Sequence, residues 1–253
     1  MKGSLIIMSD YVYTDEERKH ILYASSPQIL EYKGKPCFCQ NKLCKARMFV
    51  YNPENPEKAY FKSSGKIKHH KDCHTEAHHF SRNVYDEQLF SYPEALKMLE
   101  KPSTNSTSKK IGNEIKKEDT NNLKPLSTLN QIYTMCKNIH PNETYNGFFI
   151  RDILADTRTY DIYKNEINGY KIVECNFYRF EKNLIIMNYP CYPTQKEIHH
   201  ISLYFNSNML FQKFLPTVLK TKHSGIFAIS GNWTSNTCII SSSKQIKLIQ
   251  KEN

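Results

Sequence analysis

Hydrophobic and polar positions alternate within 171–180, where Val173, Cys175 and Phe177 oppose Glu174, Asn176 and Tyr178. A period of two over such a length predicts a β-strand with one face in the core. The same reading predicts strands over 184–189 and 198–205, the latter with Ile201, Leu203 and Phe205 on one face. At 208–219 the period lengthens: Leu210, Phe211, Phe214, Leu215 and Val218 recur at helical spacing. Strands resume over 225–233 and 237–249. The second half therefore reads as three strands, a helix and two strands.

The first half is less regular. Thr14-Asp-Glu-Glu17 predicts a helix start, with carboxylates in the first turn and Ile21, Leu22 and Tyr23 as its apolar side. Residues 46–51 alternate and are β-prone, Asn52 to Pro56 is a turn, and 59–62 is the returning strand of a hairpin. A helix is expected over 93–99, with Ala95, Leu96 and Leu99 inward. Residues 101–125 are polar and poor in apolar side chains, too few to offset the entropy of ordering, and read as a flexible linker. After it, Thr128 and Gln131 have capping-box spacing ahead of an apolar stripe of Leu129, Ile132, Tyr133, Cys136 and Ile139. Cys136 reads as core, and 148–154 as a further short element. The predicted fold class is α+β, with domains over 1–100 and 126–253 joined by the 101–125 linker.

Chemistry concentrates between Cys37 and Cys73. Four of the eight cysteines and two of the ten histidines lie there, as Cys37-Phe-Cys39-x4-Cys44 and later His69-His70-Lys-Asp-Cys73. Thiolates and imidazoles are the donors that Zn²⁺ takes four at a time in a closed tetrahedron. Cys39 and Cys44 suit a tight knuckle, and His69 and Cys73, four apart, suit one face of a second element. The expected cofactor is a structural zinc held by Cys39, Cys44, His69 and Cys73, with Cys37 an alternative to Cys39 and His70 an alternative to His69. The hairpin after the knuckle makes the layout that of a zinc ribbon or treble clef, in which the metal replaces a core too small to hold itself together.

Taken together, Cys39-x4-Cys44, Ala46-x-Met48-x-Val50, Tyr60-Phe61 and His69-x3-Cys73 resemble the zinc-binding module that opens competence CoiA-like proteins of bacteria and phages. The resemblance covers about residues 30 to 75. It implies a bacterial or phage origin and a link to DNA metabolism. The nuclease domain that follows in those proteins is not recognisable here. In the second half, three strands, a helix and two strands is the order of an OB-fold barrel. The run Phe227-Ala-Ile-Ser-Gly231-Asn-Trp233, with Ile239 and 245–248, is similar to the last two strands of many OB domains. An unrelated five-stranded barrel or a sandwich is the rival architecture.

The net charge of +10 permits a nucleic-acid partner. Ten lysines and arginines lie between Tyr32 and Lys71 against only Glu54 and Glu57, so the zinc module is the most basic part of the chain. Lys42, Lys45 and Arg47 are the expected phosphate contacts, and Tyr178, Tyr204 and Trp233 the expected stacking platforms. Two roles then compete: a non-enzymatic binder of single-stranded DNA or RNA, and a protein–protein adaptor in a bacterial defence or phage complex. Enzymatic signals are thin, with no Gly-rich phosphate loop and no Gly-x-Ser-x-Gly elbow. Asp152, Asp156 and Asp161 with Glu174 leave a Mg²⁺-dependent nuclease as the third option. No apolar run approaches the ~18 to 20 residues of a membrane span. With no signal-peptide pattern and cysteines that look reduced, the expected location is the cytoplasm.

Overall fold

The computed structural model of the chain describes residues 11–41, 44–55, 59–64, 69, 80, 85–102, 124–190, 198–221 and 225–250. The first half is built on an antiparallel sheet of β1 (Tyr11–Tyr13), β2 (Ile21–Tyr23), β3 (Cys37–Phe38), β4 (Arg47–Tyr51) and β5 (Tyr60–Ser63), in the order β2-β1-β3-β4-β5. The β4–β5 hairpin lies where alternation predicts it. The helix expected from Thr14 does not form: residues 11–23 are a β-hairpin instead. Tyr-Val-Tyr and Ile-Leu-Tyr are β-prone triplets. Between them the Asp15 carboxylate accepts the backbone N–H groups of Lys19 and His20 at 2.8 to 3.1 Å, and Arg18 takes a left-handed φ of 57°. An aspartate bonding its own turn competes with the helix its charge would favour.

Helix α1 (Tyr92–Glu100) follows, then α2 (Leu129–Asn138). The expected capping box is present: the Thr128 hydroxyl accepts the Gln131 N–H, and the Gln131 side chain accepts the Thr128 N–H. Short elements fill 144–163: the hairpin β6 (Thr144–Tyr145) and β7 (Phe148–Phe149), α3 (Ile150–Ile153), β8 (Leu154–Ala155) and α4 (Tyr160–Tyr163). Then come β9 (Gly169–Glu181), β10 (Leu184–Tyr189), β11 (His199–Phe205), α5 (Asn208–Thr221), β12 (Ile226–Thr234), β13 (Thr237–Ile240) and β14 (Ile246–Gln250).

Strands β9, β10, β11, β13 and β12 are neighbours in that order, and β12 pairs back onto β9 along eight residues, closing a five-stranded barrel. Every pairing in the ring is antiparallel except β11 with β13. The last expected strand, 237–249, is broken. Ser242 caps a 3₁₀ turn whose Gln245 side chain accepts the N–H groups of Ser241 and Ser242, and β14 then pairs with β12 as a separate strand.

The barrel interior holds Val173, Cys175 and Phe177 of β9 with Phe227, Ile229 and Trp233 of β12, and α5 covers one end through Phe211 and Val218. The opposite faces of the same two strands are also buried. Ile172 and Ala228 join α1, α2 and β8 in a second apolar layer. Glu174, expected to face solvent by alternation, therefore points out of the barrel into this covered layer. Helix α1 packs on β9 and β12, so residues 92–100 lie against the barrel, while residues 103–123 of the expected linker fall outside the described residues. The first sheet touches the second half through β1. Arg158 donates to the Tyr11 hydroxyl at 3.3 Å, and the Tyr13 hydroxyl lies 3.4 Å from His140 Nε2.

Candidate metal centre and nucleic-acid interface

The knuckle grows out of β3. The Cys39 N–H donates to the Ala46 carbonyl at 3.3 Å, and the Cys44 N–H to the Asn41 carbonyl at 3.0 Å, so the chain folds back on itself between the two cysteines. Both thiols are buried and face inward, and His69, delivered just after β5, completes a triad. Its Nδ1 lies 3.4 Å from Cys39 Sγ and 3.5 Å from Cys44 Sγ. With Zn–S near 2.3 Å and Zn–N near 2.0–2.1 Å, the sulfur-to-nitrogen edge of a tetrahedron is about 3.6 Å. The donors thus have the spacing that one shared cation sets, and this group could hold a metal ion. Cys73, His70 and Lys42 lie outside the described residues. Cys37 is not part of the triad; it is a buried packing residue whose thiol pKa burial raises to about 11. Burial likewise pushes Cys238 up to about 12 and Cys136 higher still, so both are neutral core thiols, as the apolar stripe around Cys136 implied.

Arg18 is a residue of the candidate site that sequence reasoning missed. From the β1–β2 turn its Nε donates to the Cys39 carbonyl at 3.1 Å, and its Nη2 donates to the carbonyls of Asn41 at 3.1 Å and Cys44 at 2.7 Å. One guanidinium thereby braces the backbone of both metal-side cysteines. Arg18 sits at a left-handed φ in the β1–β2 turn, and no local pattern announces its reach to the knuckle.

A second assembly lies on the outer barrel surface. Tyr178 of β9 stacks on His200 of β11 with ring centroids 4.2 Å apart and planes 15° from parallel. Tyr204, four residues along β11, is 49% exposed, and Ile239, its register partner on β13, is exposed beside it. Of the expected basic contacts, Lys45 is exposed, and Arg47 is half-buried with its guanidinium 4.0 Å from the Phe38 ring centroid. Trp233 is a correction. It is 1% exposed inside the barrel and its indole N–H donates to the Lys171 carbonyl at 3.2 Å, so no base can lie on it. The sequence placed Trp233 on a strand without saying which face was the interior.

The acidic residues considered for Mg²⁺ divide. Asp152 and Asp161 are exposed, whereas Asp156 and Glu174 are fully buried and meet around Lys137. Lys137 Nζ lies 3.0 Å from Asp156 Oδ2 and 2.9 Å from Glu174 Oε2, and Arg158 Nε lies 2.8 Å from the same Asp156 oxygen. Arg158 also donates to the carbonyls of Cys136 and Ile139 at the end of α2. Burial alone would raise the Asp156 pKa, but Arg158 and Lys137 outweigh it and hold the carboxyl at about 2. Burial acts to lower the Lys137 pKa, and the two carboxylates overcome it, so the ammonium stays charged. Two anions satisfied by two cations form a closed structural network rather than an open cation site. Searches of protein-family models, curated proteins and solved structures found no match to this chain. No helix among the described residues is long and apolar enough to cross a membrane.

Proposed function

We propose that the protein binds single-stranded DNA or RNA on the outer face of the barrel, without catalysis, and that the first sheet is a zinc-stabilised module beside it. The stacked, solvent-facing Tyr178–His200 pair with Tyr204 further along β11 carries this reading. Aromatic faces accept any base by stacking. Tyr204 and His200 are four residues apart on one strand, about 13 Å, enough to seat successive splayed bases. The ring order β9-β10-β11-β13-β12, the parallel β11–β13 pairing and a helix between the third and fourth strands support an OB-like assignment. In that architecture this face takes oligonucleotides. For the metal, two thiolates and an imidazole favour zinc over the harder cations, with Cys73 as the fourth donor. Its part is to hold the fold, since a closed ligand set leaves no position for a substrate.

The adaptor reading rests on a different observation: Ile239, the register partner of Tyr204, is an exposed apolar residue on the same face, and protein partners seek such groups. Anisotropy titration of a labelled oligothymidylate separates the two. Tyr204→Ala is expected to weaken binding by about 1 to 3 kcal/mol with an unchanged salt slope, because stacking releases no counterions. Charge reversal of Lys45 and Arg47 is expected to flatten the slope instead. Absence of any oligonucleotide retention at low salt sinks the proposal and leaves the adaptor.

A further inference from the structure

Away from the aromatic face, a groove of about 780 Å³ opens between α1, the start of α2 and the 243–247 segment. Its floor includes Leu99, Leu126 and Leu129, all buried. Leu89 and Met98 line it as well, and both present large apolar side chains to solvent, at 58% and 55% exposed. An apolar concavity of this size is in the range that binding clefts occupy, and a methionine at its wall can adapt to varied apolar anchors.

Charge identifies the occupant. Lys244 and Lys247 stand exposed in the lining. The one carboxylate there, Glu94, is already engaged by Lys97 at 2.9 Å. The first turn of α2, which also lines the groove, carries no acidic residue. An apolar trough with a positive rim complements an apolar segment flanked by carboxylates. A second copy of this chain, at +10, brings the wrong sign. Residues 103–123 hold four lysines against three carboxylates and are no better matched.

We infer that this groove docks an acidic peptide segment of a partner protein, with leucine-like anchors over Met98 and carboxylates at Lys244 and Lys247. The site is separate from the aromatic face, so the protein joins a nucleic-acid strand to a protein partner, and either activity can fail without the other.

The test uses the full chain and a fluorescein-labelled synthetic peptide of about 14 residues, roughly four helical turns, with Leu at i, i+3, i+4 and i+7 spacing and Glu elsewhere. Saturable binding is expected, about tenfold weaker in Lys244→Glu/Lys247→Glu and in Met98→Asp. Saturating oligothymidylate should leave it unchanged. All three substitutions fall at exposed positions, and the emission of Trp233 checks that each variant remains folded. Absence of saturation, equal affinity for a peptide with Lys in place of Glu, or indifference to the charge reversal overturns the inference. Two other occupants would also displace it. A concentration-dependent dimer in sedimentation that Met98→Asp abolishes assigns the groove to a second copy, and an approximately tenfold gain in peptide affinity on deleting 103–123 assigns it to the chain itself.

Discussion

The first sheet and the barrel solve the same problem at different scales. The barrel closes its hydrogen-bonding ring and buries a dense apolar interior, with β9 and β12 covered on both faces. The first sheet has five strands of two to five residues and one small cluster, in which Cys37, Cys39 and Cys44 are themselves core members. A sheet that small gains little from burial alone. Polar fixings add to it at a few points: the Arg18 clamp, the Asp15 turn and a donor triad that could hold a metal ion. The barrel interior is built from a larger set of buried side chains than the sheet, so loss of a single fixing is expected to cost the sheet the larger share of its stability.

Metal removal should expose that contrast most sharply. Zinc in small modules contributes about 10 kcal/mol or more to folding. Purified protein is expected to carry about one zinc per chain by elemental analysis. Chelation or Cys39→Ser is expected to abolish amide protection in 11–63 while Trp233 emission, a report from inside the barrel, stays native. Simultaneous loss of both signals would mean that the two regions fold as one unit.

The barrel side has its own concentrated point in the buried charges. Lys137→Met removes the ammonium shared by Asp156 and Glu174, and leaving buried carboxylates short of a partner costs about 3 to 5 kcal/mol. Denaturant midpoints followed by Trp233 emission measure the loss. A change below about 1 kcal/mol would show that the network is dispensable and that distributed packing alone holds the barrel.

How much of this was legible differs between the two regions for a physical reason. Strands β9 and β11 announce themselves because a period of two is written in adjacent residues, and the Thr128–Gln131 cap is equally local. The hairpin at 46–62 is legible on the same grounds. Residues 14–23 misled because carboxylates after Thr14 suit a helix start and an Asp-centred turn alike, and only the β-prone triplets on either side decide. The meeting of Lys137, Asp156, Arg158 and Glu174 was not legible, since it needs α2 laid across the outer face of β9. Among the metal donors, spacing brought together Cys39, Cys44 and His69, but nothing in it distinguished Cys37 as a packing residue.

Arg18 sharpens the comparison at a smaller scale. Groups that orient metal ligands commonly change affinity by 10- to 100-fold when lost. Arg18→Met is expected to weaken zinc retention by about that factor in a competition with a chromophoric chelator. Arg18→Lys should recover only part of it, because an ammonium cannot span three carbonyls as the planar fork does. Unchanged retention in both variants would reduce Arg18 to a loop contact.

The weakest expected effect is at the junction. Burial, aided by the nearby Arg158 charge, lowers the His140 pKa to about 4. The folded chain keeps this ring neutral where the unfolded chain takes up a proton near pH 6.5. Stability from the neutral ring is complete above about pH 6.5 and drains away as pH falls toward 4. The ring is only partly buried, so solvent screening limits the change to about 1 kcal/mol. His140→Asn should remove that part of the pH dependence of the unfolding midpoint. A profile identical to the parent's would place the titration elsewhere.

The seam between β9 and β12 also has a meaning in time. Gly169 lies opposite Trp233 and Asn176 opposite Ile226, so the barrel closes only by joining residues 50 to 64 positions apart. Loops of that length are slow to close, and non-local pairing of this kind governs folding rate. The donors at 39, 44 and 69, by contrast, have all left the ribosome before the first residue of β9 is made. Synthesis thus presents the candidate metal donors long before it presents a barrel, whose closure waits for β12.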